Sequence, residues 1–237
     1  MTALLRRKAQ RLWLLLLAGA GTLVVCGCGP TRLTVHADIP PLLVQPLPLT
    51  MGVRIPKSFA EYVQKEKFGN DQWEIELGAA QAGAISRVMQ AMFRRTVMLD
   101  DQAPGQGGAS AAELNGIVET TLDSYVYLLP STAPGASAFF SATIGFKVDL
   151  MSPDGTVVGS WVYEGYGSAP ERGLSQTEGV ALVSGLAIRD ACANVAVHLP
   201  EQELLRNLLT REPGPTPTPT PTPTPDQSPT PSSTTDQ

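Results

Sequence analysis

From Thr143 to Tyr166 the chain reads as a single object. Thr143-Ile144-Gly145-Phe146-Lys147-Val148-Asp149-Leu150 alternates strictly, the period of a strand with one buried face. Ser152-Pro153-Asp154-Gly155 is a turn with a mechanism, because proline presets φ at its second position and glycine accepts a positive φ. Thr156 to Tyr166 returns with Val157, Trp161 and Tyr163 on one face and Val158, Ser160 and Val162 on the other. An isolated hairpin is marginal in water, so these residues require further strands and a layer to cover them.

The flanking pattern predicts both. Leu49 to Ile55 alternates and is stopped by Pro56, and Trp73 to Leu77 alternates again; both read as strands. Phe59 to Phe68 is mixed and polar, a loop or short helix. In Gly78 to Arg95 the period changes: Ile85, Val88, Met89 and Met92 follow i, i+3, i+4, i+7, one apolar stripe of a helix. Thr96 to Leu99 reads as a strand, Asp100 to Ala112 as a loop, and Leu114 to Leu128 as a long strand with Leu114, Val118, Leu122 and Val126 on one face. Ser175-Gln176-Thr177-Glu178 is a capping box ahead of a periodic run from Val180 to His198, which ends at Pro200. Leu204, Leu205, Leu208 and Leu209 suggest a short last helix. The expected fold class is α+β: a single mostly antiparallel sheet with two helices packed on one face, over residues 49–209.

The two ends differ from this domain. Arg6, Arg7, Lys8 and Arg11 precede an apolar run from Leu12 to Val25, the layout of a secretory signal peptide and shorter than the ~20 residues that span a bilayer. Val25-Cys26-Gly27-Cys28 resembles the bacterial lipobox, in which a small residue precedes the cysteine that becomes lipidated residue one. Gly27 precedes Cys28 and fits, whereas bulky Val25 precedes Cys26. Residues 1–27 are therefore expected to be a signal peptide, with Cys28 the lipidation site and 28–48 an extended, proline-bearing leader. Val35, Leu42, Leu43 and Val44 of that leader are expected along the domain surface. Gly29 in place of Asp after Cys28 favours, by the same resemblance, the outer membrane over retention at the inner one, so that the palmitate-type anchor on Cys28 would leave the domain facing the periplasm. Residues 210–237, with Pro and Thr alternating from Pro215 to Pro225, cannot form a core and are expected to be a disordered tail. At ~3.1 Å per residue the ~25 residues from Pro213 onward reach on the order of 75–80 Å if fully extended, which would allow proximity to peptidoglycan.

Charge narrows the partners. Loss of the signal removes four of the 17 Lys and Arg and none of the 22 Asp and Glu, moving the net charge from −5 to −9. Neither nucleic acid nor polybasic attraction to anionic lipid suits that balance. After lipidation of Cys28, Cys192 is the one cysteine left, so no intrachain disulfide is available. His36 and His198 are the only histidines, which makes a histidine-based triad or zinc site hard to build, and Gly105 to Gly108 lacks the lysine of a phosphate loop. Glu74, Glu76, Asp100, Asp101 and Asp123 read as solvated faces. No catalytic residue, metal site or cofactor is expected. The remaining candidates are Tyr125, Tyr127, Trp161 and Tyr163 on adjacent strands. They read either as ordinary sheet packing or as a binding patch for lipid or a protein partner.

The stretch Gly145 to Leu150, Asp154-Gly155, Trp161, Glu164-Gly165-Tyr166-Gly167, then Ala181 and Ala187-Ile188-Arg189-Asp190-Ala191, together with the lipobox, resembles small envelope lipoproteins of Gram-negative bacteria. The YajG-type lipoproteins, the lipopolysaccharide-assembly lipoprotein and the auxiliary lipoproteins of lipid-transporting ABC systems share such a pattern, over roughly residues 48–200. The resemblance implies a non-enzymatic lipoprotein that docks an envelope assembly or transport machine. The alternative is a lipoprotein that holds lipid or glycan between sheet and helices. The first expects a closed core with an exposed patch or edge strand, the second an apolar groove near Trp161 and Tyr163.

Overall fold

A computed structural model of the chain describes residues 29–69, 71–99, 114–131 and 138–210. The signal peptide, Cys28, the Asp100–Asp101 pair, the Gly105 to Gly108 loop and the Pro/Thr tail from residue 211 onward lie outside the described residues.

In chain order the elements are β1 (Thr31–Thr34), β2 (Leu47–Arg54), α1 (Lys57–Ala60), β3 (Val63–Phe68), β4 (Asp71–Glu76), α2 (Gly78–Met92), β5 (Phe93–Leu99), β6 (Gly116–Leu128), β7 (Phe139–Met151), β8 (Val157–Pro170), α3 (Gln176–His198) and α4 (Glu203–Thr210). The single mostly antiparallel sheet expected from the sequence is replaced by two mixed sheets, one ordered β1-β4-β3 and one ordered β5-β2-β6-β7-β8. Two features caused the difference. The leader supplies β1, which pairs parallel with β4 and buries Leu33 and Val35. Thr-Arg-Leu-Thr is too short for a periodic signal. The polar segment after Phe59 supplies β3, antiparallel to β4. Its Val-Gln-Lys-Glu-Lys-Phe carries charge at three consecutive positions, so no apolar alternation marks it. In the larger sheet β5, β2 and β6 run parallel while β6, β7 and β8 are antiparallel.

The hairpin forms as its pattern requires, with every residue from Phe139 to Leu150 in one unbroken register with Gly159 to Pro170. Gly155 takes the positive φ of 91° that the turn needs. Phe140, Ala142, Ile144, Phe146, Val148 and Leu150 alternate inward and are buried against the helices. The capping box closes α3 as read: the Ser175 hydroxyl accepts from the Glu178 amide, and the Glu178 carboxylate accepts from the Ser175 amide at 3.0 Å. This helix is apolar enough on mean hydropathy to pass for a membrane span, but over half of its apolar window is buried in this core.

Helix α3 and strand β8 meet backbone to backbone. A Cβ on Gly165 would overlap the Ala191 amide and the Ala187 carbonyl, and one on Gly167 would overlap the Val183 carbonyl. Glycine is required at both positions by close approach, not by φ. On the far side of α3, Gly185 takes the His36 carbonyl in the same way, so the leader crosses the helix in direct contact. One apolar core joins both sheets and both long helices, from Leu33 and Ile75 to Ile144, Phe146, Val183 and Ala187. The leader is thus part of the fold, whose first described element begins at Thr31.

Candidate functional site

Strand β2 pairs with β6 only through Gly116 to Glu119. Beyond Arg54 the chain turns through α1 and continues as β3, which pairs with β4 and not with β6. The upper half of β6 therefore faces β3 across a gap. Two clefts fill that gap and share Tyr125. One, of 310 Å³, is lined by Ser58, Phe59, Tyr62 and residues 121–125. The other, of 370 Å³, is lined by Glu66 and residues 125–129. End to end they make a groove along β6.

A β-bulge builds its middle. The β6–β7 register shifts by one residue between Leu122 and Ser124, leaving Asp123 unmatched. One extra residue inverts the phase of all that follow. Val126, expected to share the inner face with Leu122, is instead exposed, and Tyr125 and Tyr127 turn toward the helix side. Gly145 makes room for the bulge, since a Cβ there would strike the Ser124 hydroxyl. Nothing in the local sequence marks Asp123 as the inserted residue.

The two tyrosines stand 5.9 Å apart, ring to ring, tilted by 31°. Tyr125 donates its hydroxyl to Ser184 Oγ at 2.7 Å, and Ser184 donates to the Val180 carbonyl at 2.6 Å, which fixes the ring against α3. Burial raises the Tyr125 phenol well above its usual range, with Tyr127 and Glu66 adding smaller repulsion against the Ser184 bond. Burial and then Glu66 push Tyr127 up to about 12. Both phenols are neutral at physiological pH and act as flat apolar platforms with a hydroxyl, not as bases. Opposite them Tyr62, Gln64 and Glu66 form a chain, Tyr62 donating to Gln64 at 2.5 Å and Gln64 to Glu66 at 2.7 Å. Phe59 closes the floor by an edge contact with Phe146 at 5.5 Å.

Trp161 and Tyr163 stand elsewhere. They project from β8 toward the helices, across β7 from the tyrosine pair. Tyr163 is buried, its phenol raised by burial near Gln202 and Glu201. Trp161 lies with Leu204 over Gly159, half-buried. The four aromatics share a face of the sheet without forming one surface. Tyr62 and Glu66 belong to the groove and escaped sequence reasoning, because β3 had no strand signature. Among the described residues no group of three or more His, Cys, Asp or Glu is placed to hold a metal ion.

No family model matches the chain, and no curated protein matches it significantly. Solved structures that resemble it include a Xanthomonas campestris protein of family DUF330 (12% identity, TM-score 0.44, covering 70% of this chain and 92% of that one). A Helicobacter pylori protein named as a homolog of a neuraminyllactose-binding hemagglutinin has 8% identity and TM-score 0.45, covering 74% and 96%. A minor lipoprotein of Acinetobacter baumannii has 6% identity and TM-score 0.38, covering 65% and 92%. Likeness at this level assigns neither family nor role.

Proposed function

We propose that this chain is a non-enzymatic bacterial envelope lipoprotein, anchored through acylated Cys28 in the outer membrane and facing the periplasm, that docks a protein partner. The groove between β3 and β6 is the docking site. The observation that carries this reading is the half of β6 from Leu122 to Leu128, which among the described residues has no strand paired on its β3 side and is flanked by Tyr62, Tyr125 and Tyr127. An exposed sheet edge beside aromatic pockets suits an extended peptide, whose main chain bonds to the edge while alternate side chains enter the pockets.

Packing favours docking over a lipid or glycan held between sheet and helices. That space is filled by fully buried Ile144, Phe146, Val183 and Ala187, and at Gly165 and Gly167 the layers touch through their backbones.

A photo-reactive amino acid at Tyr127, irradiated in native membranes, is expected to give one discrete adduct with an envelope protein, lost when Tyr62 and Tyr125 are both changed to Ala. The same group at Val158, at the far end of the sheet, is expected to give none. Equal labelling from both positions, or no adduct from Tyr127, would refute the assignment.

A further inference from the structure

We infer that the end of the molecule where β3 turns into β4 and β6 reaches Leu128 is a membrane-contacting surface, seated on the bilayer by apolar side chains. The inference rests on the reading of Cys28 as the acylated residue.

Only Gly29 and Pro30 separate Cys28 from Thr31, the first residue of β1. Three residue steps span at most about 11 Å even when fully extended. An acyl chain on Cys28 therefore holds the start of β1 at the headgroups with no slack. Thr31 pairs with Trp73, and Trp73 pairs with Glu66. Two strand spacings place Thr31 about 10 Å from Glu66. Glu66 in turn lines the cleft formed by Tyr125 to Leu129. The anchored end of the small sheet and the far end of β6 are thus the same end of the molecule.

That end presents an apolar surface on the sheet face turned away from the helices. In register across β6, β7 and β8 lie Val126, Thr143 and Tyr166, then Leu128, Ser141 and Ser168, then Phe139 beside Pro170. Val126 is 59% exposed, Leu128 63%, Phe139 50% and Tyr166 58%. Apolar side chains with a tyrosine among them are what the boundary between headgroups and acyl chains accepts.

Charge rules out the alternative mode of seating. Arg32, Lys65, Lys67 and Arg172 are matched in number by Glu66, Asp71, Glu74 and Glu171 around this end, and Glu74 pairs with both Arg32 and Lys65. Among the described residues no basic excess remains at this end to seek anionic lipid, so the attachment is apolar and insensitive to salt. The acyl chain alone brings these residues within reach of lipid, which selects the bilayer over a protein as the occupant.

The test uses the acylated full chain in phosphatidylcholine vesicles that carry nitroxide-labelled lipid. An environment-sensitive dye is placed on Ser168→Cys, within the apolar rows, or on Val158→Cys, about 33 Å away along β8. Native Cys192 is buried and does not compete for the dye. The Ser168 position is expected to shift to the blue and to lose more than about half its emission to the lipid quencher, unchanged by high salt, while the Val158 position is not quenched. Leu128→Ser with Phe139→Ser is expected to abolish the quenching and leave the melting temperature unaltered. Equal emission at the two positions, quenching that salt abolishes, or protection without lipid quenching (a protein on this face) would each overturn the inference. The mass of the N-terminal peptide from the same preparation separates the causes. With Cys28 acylated, an unquenched Ser168 position defeats the membrane-facing surface alone. With Cys28 unmodified, the anchoring reading fails and the inference falls with it.

Discussion

At the residue scale, the contact between α3 and β8 depends on two hydrogen atoms. Gly165→Ala would put a methyl group into the backbone of Ala187 and Ala191, with no flexible side chain there to yield. Overpacking of this kind costs about 1–3 kcal/mol, and the substitution is expected to lie at the upper end of that range in chemical denaturation. Gly83 makes the opposite case. It sits exposed in the middle of α2 with nothing near its α-carbon, so Gly83→Ala is expected to stabilise by about 0.5–1 kcal/mol through chain entropy and helix propensity. Cys192 gives a third expectation. It is buried on the inner face of α3, and burial pushes its thiol up to about 12 against a smaller opposing effect of Arg87. A neutral thiol in the core should resist alkylation at neutral pH in the folded chain and react at once when denaturant is added. Reaction of the native protein at the rate of free cysteine would show that α3 is not packed as described.

At the element scale, the two ends of α3 and the edge it covers carry the predictions. Hydrogen bonds from the Ser175 hydroxyl and amide hold the Glu178 carboxyl below its ordinary value of 4.5. A carboxyl lowered on folding contributes stability that is present above its unfolded value and lost as pH falls through the folded one. Amide protection in the first turn of α3, taken relative to the intrinsic exchange rate at each pH, is therefore expected to fall as pH drops below 4.5, and Glu178→Gln should flatten that dependence. Further along, Asp190 accepts from the Tyr166 amide at 2.9 Å and Asn194 donates to the Glu164 carbonyl at 2.7 Å, so the helix covers the outer edge of β8 with side chains. Edge strands left open invite pairing with another chain. Asp190→Ala with Asn194→Ala is expected to produce concentration-dependent association in sedimentation, with the fold retained. These features also show what could be read from the chain. The hairpin, the capping box and the stripe of α2 were legible because local periodicity and turn chemistry specify them. The β1 and β3 strands were not, because four residues and a charged hexapeptide acquire strand geometry only from β4 between them. The bulge at Asp123 was equally silent: it depends on Gly145 across the strand pair, and it alone moved Val126 outward and Tyr125 and Tyr127 into the groove.

At the scale of the whole molecule, the leader changes how the protein stands. Read as a spacer it would let the domain move freely above its anchor. Instead β1 joins a sheet, Val35 joins the core, and the Arg87 guanidinium donates to the Ala37 carbonyl at 3.2 Å as the chain crosses α2 and α3. A domain whose first strand begins three residues after the proposed acylation site has an orientation. The β3–β6 groove then opens beside the bilayer, where a partner's extended segment could reach it. Both the docking proposal and the seating of Leu128 and Phe139 depend on that attachment. The most direct measurement is the mass of the N-terminal peptide of the mature protein recovered from native membranes. The account predicts a chain that begins at Cys28 and carries a thioether-linked diacylglycerol and an amide-linked acyl chain, and loss of both with retention of the signal segment in Cys28→Ala. A mature chain that begins elsewhere, or an unmodified Cys28, would contradict it.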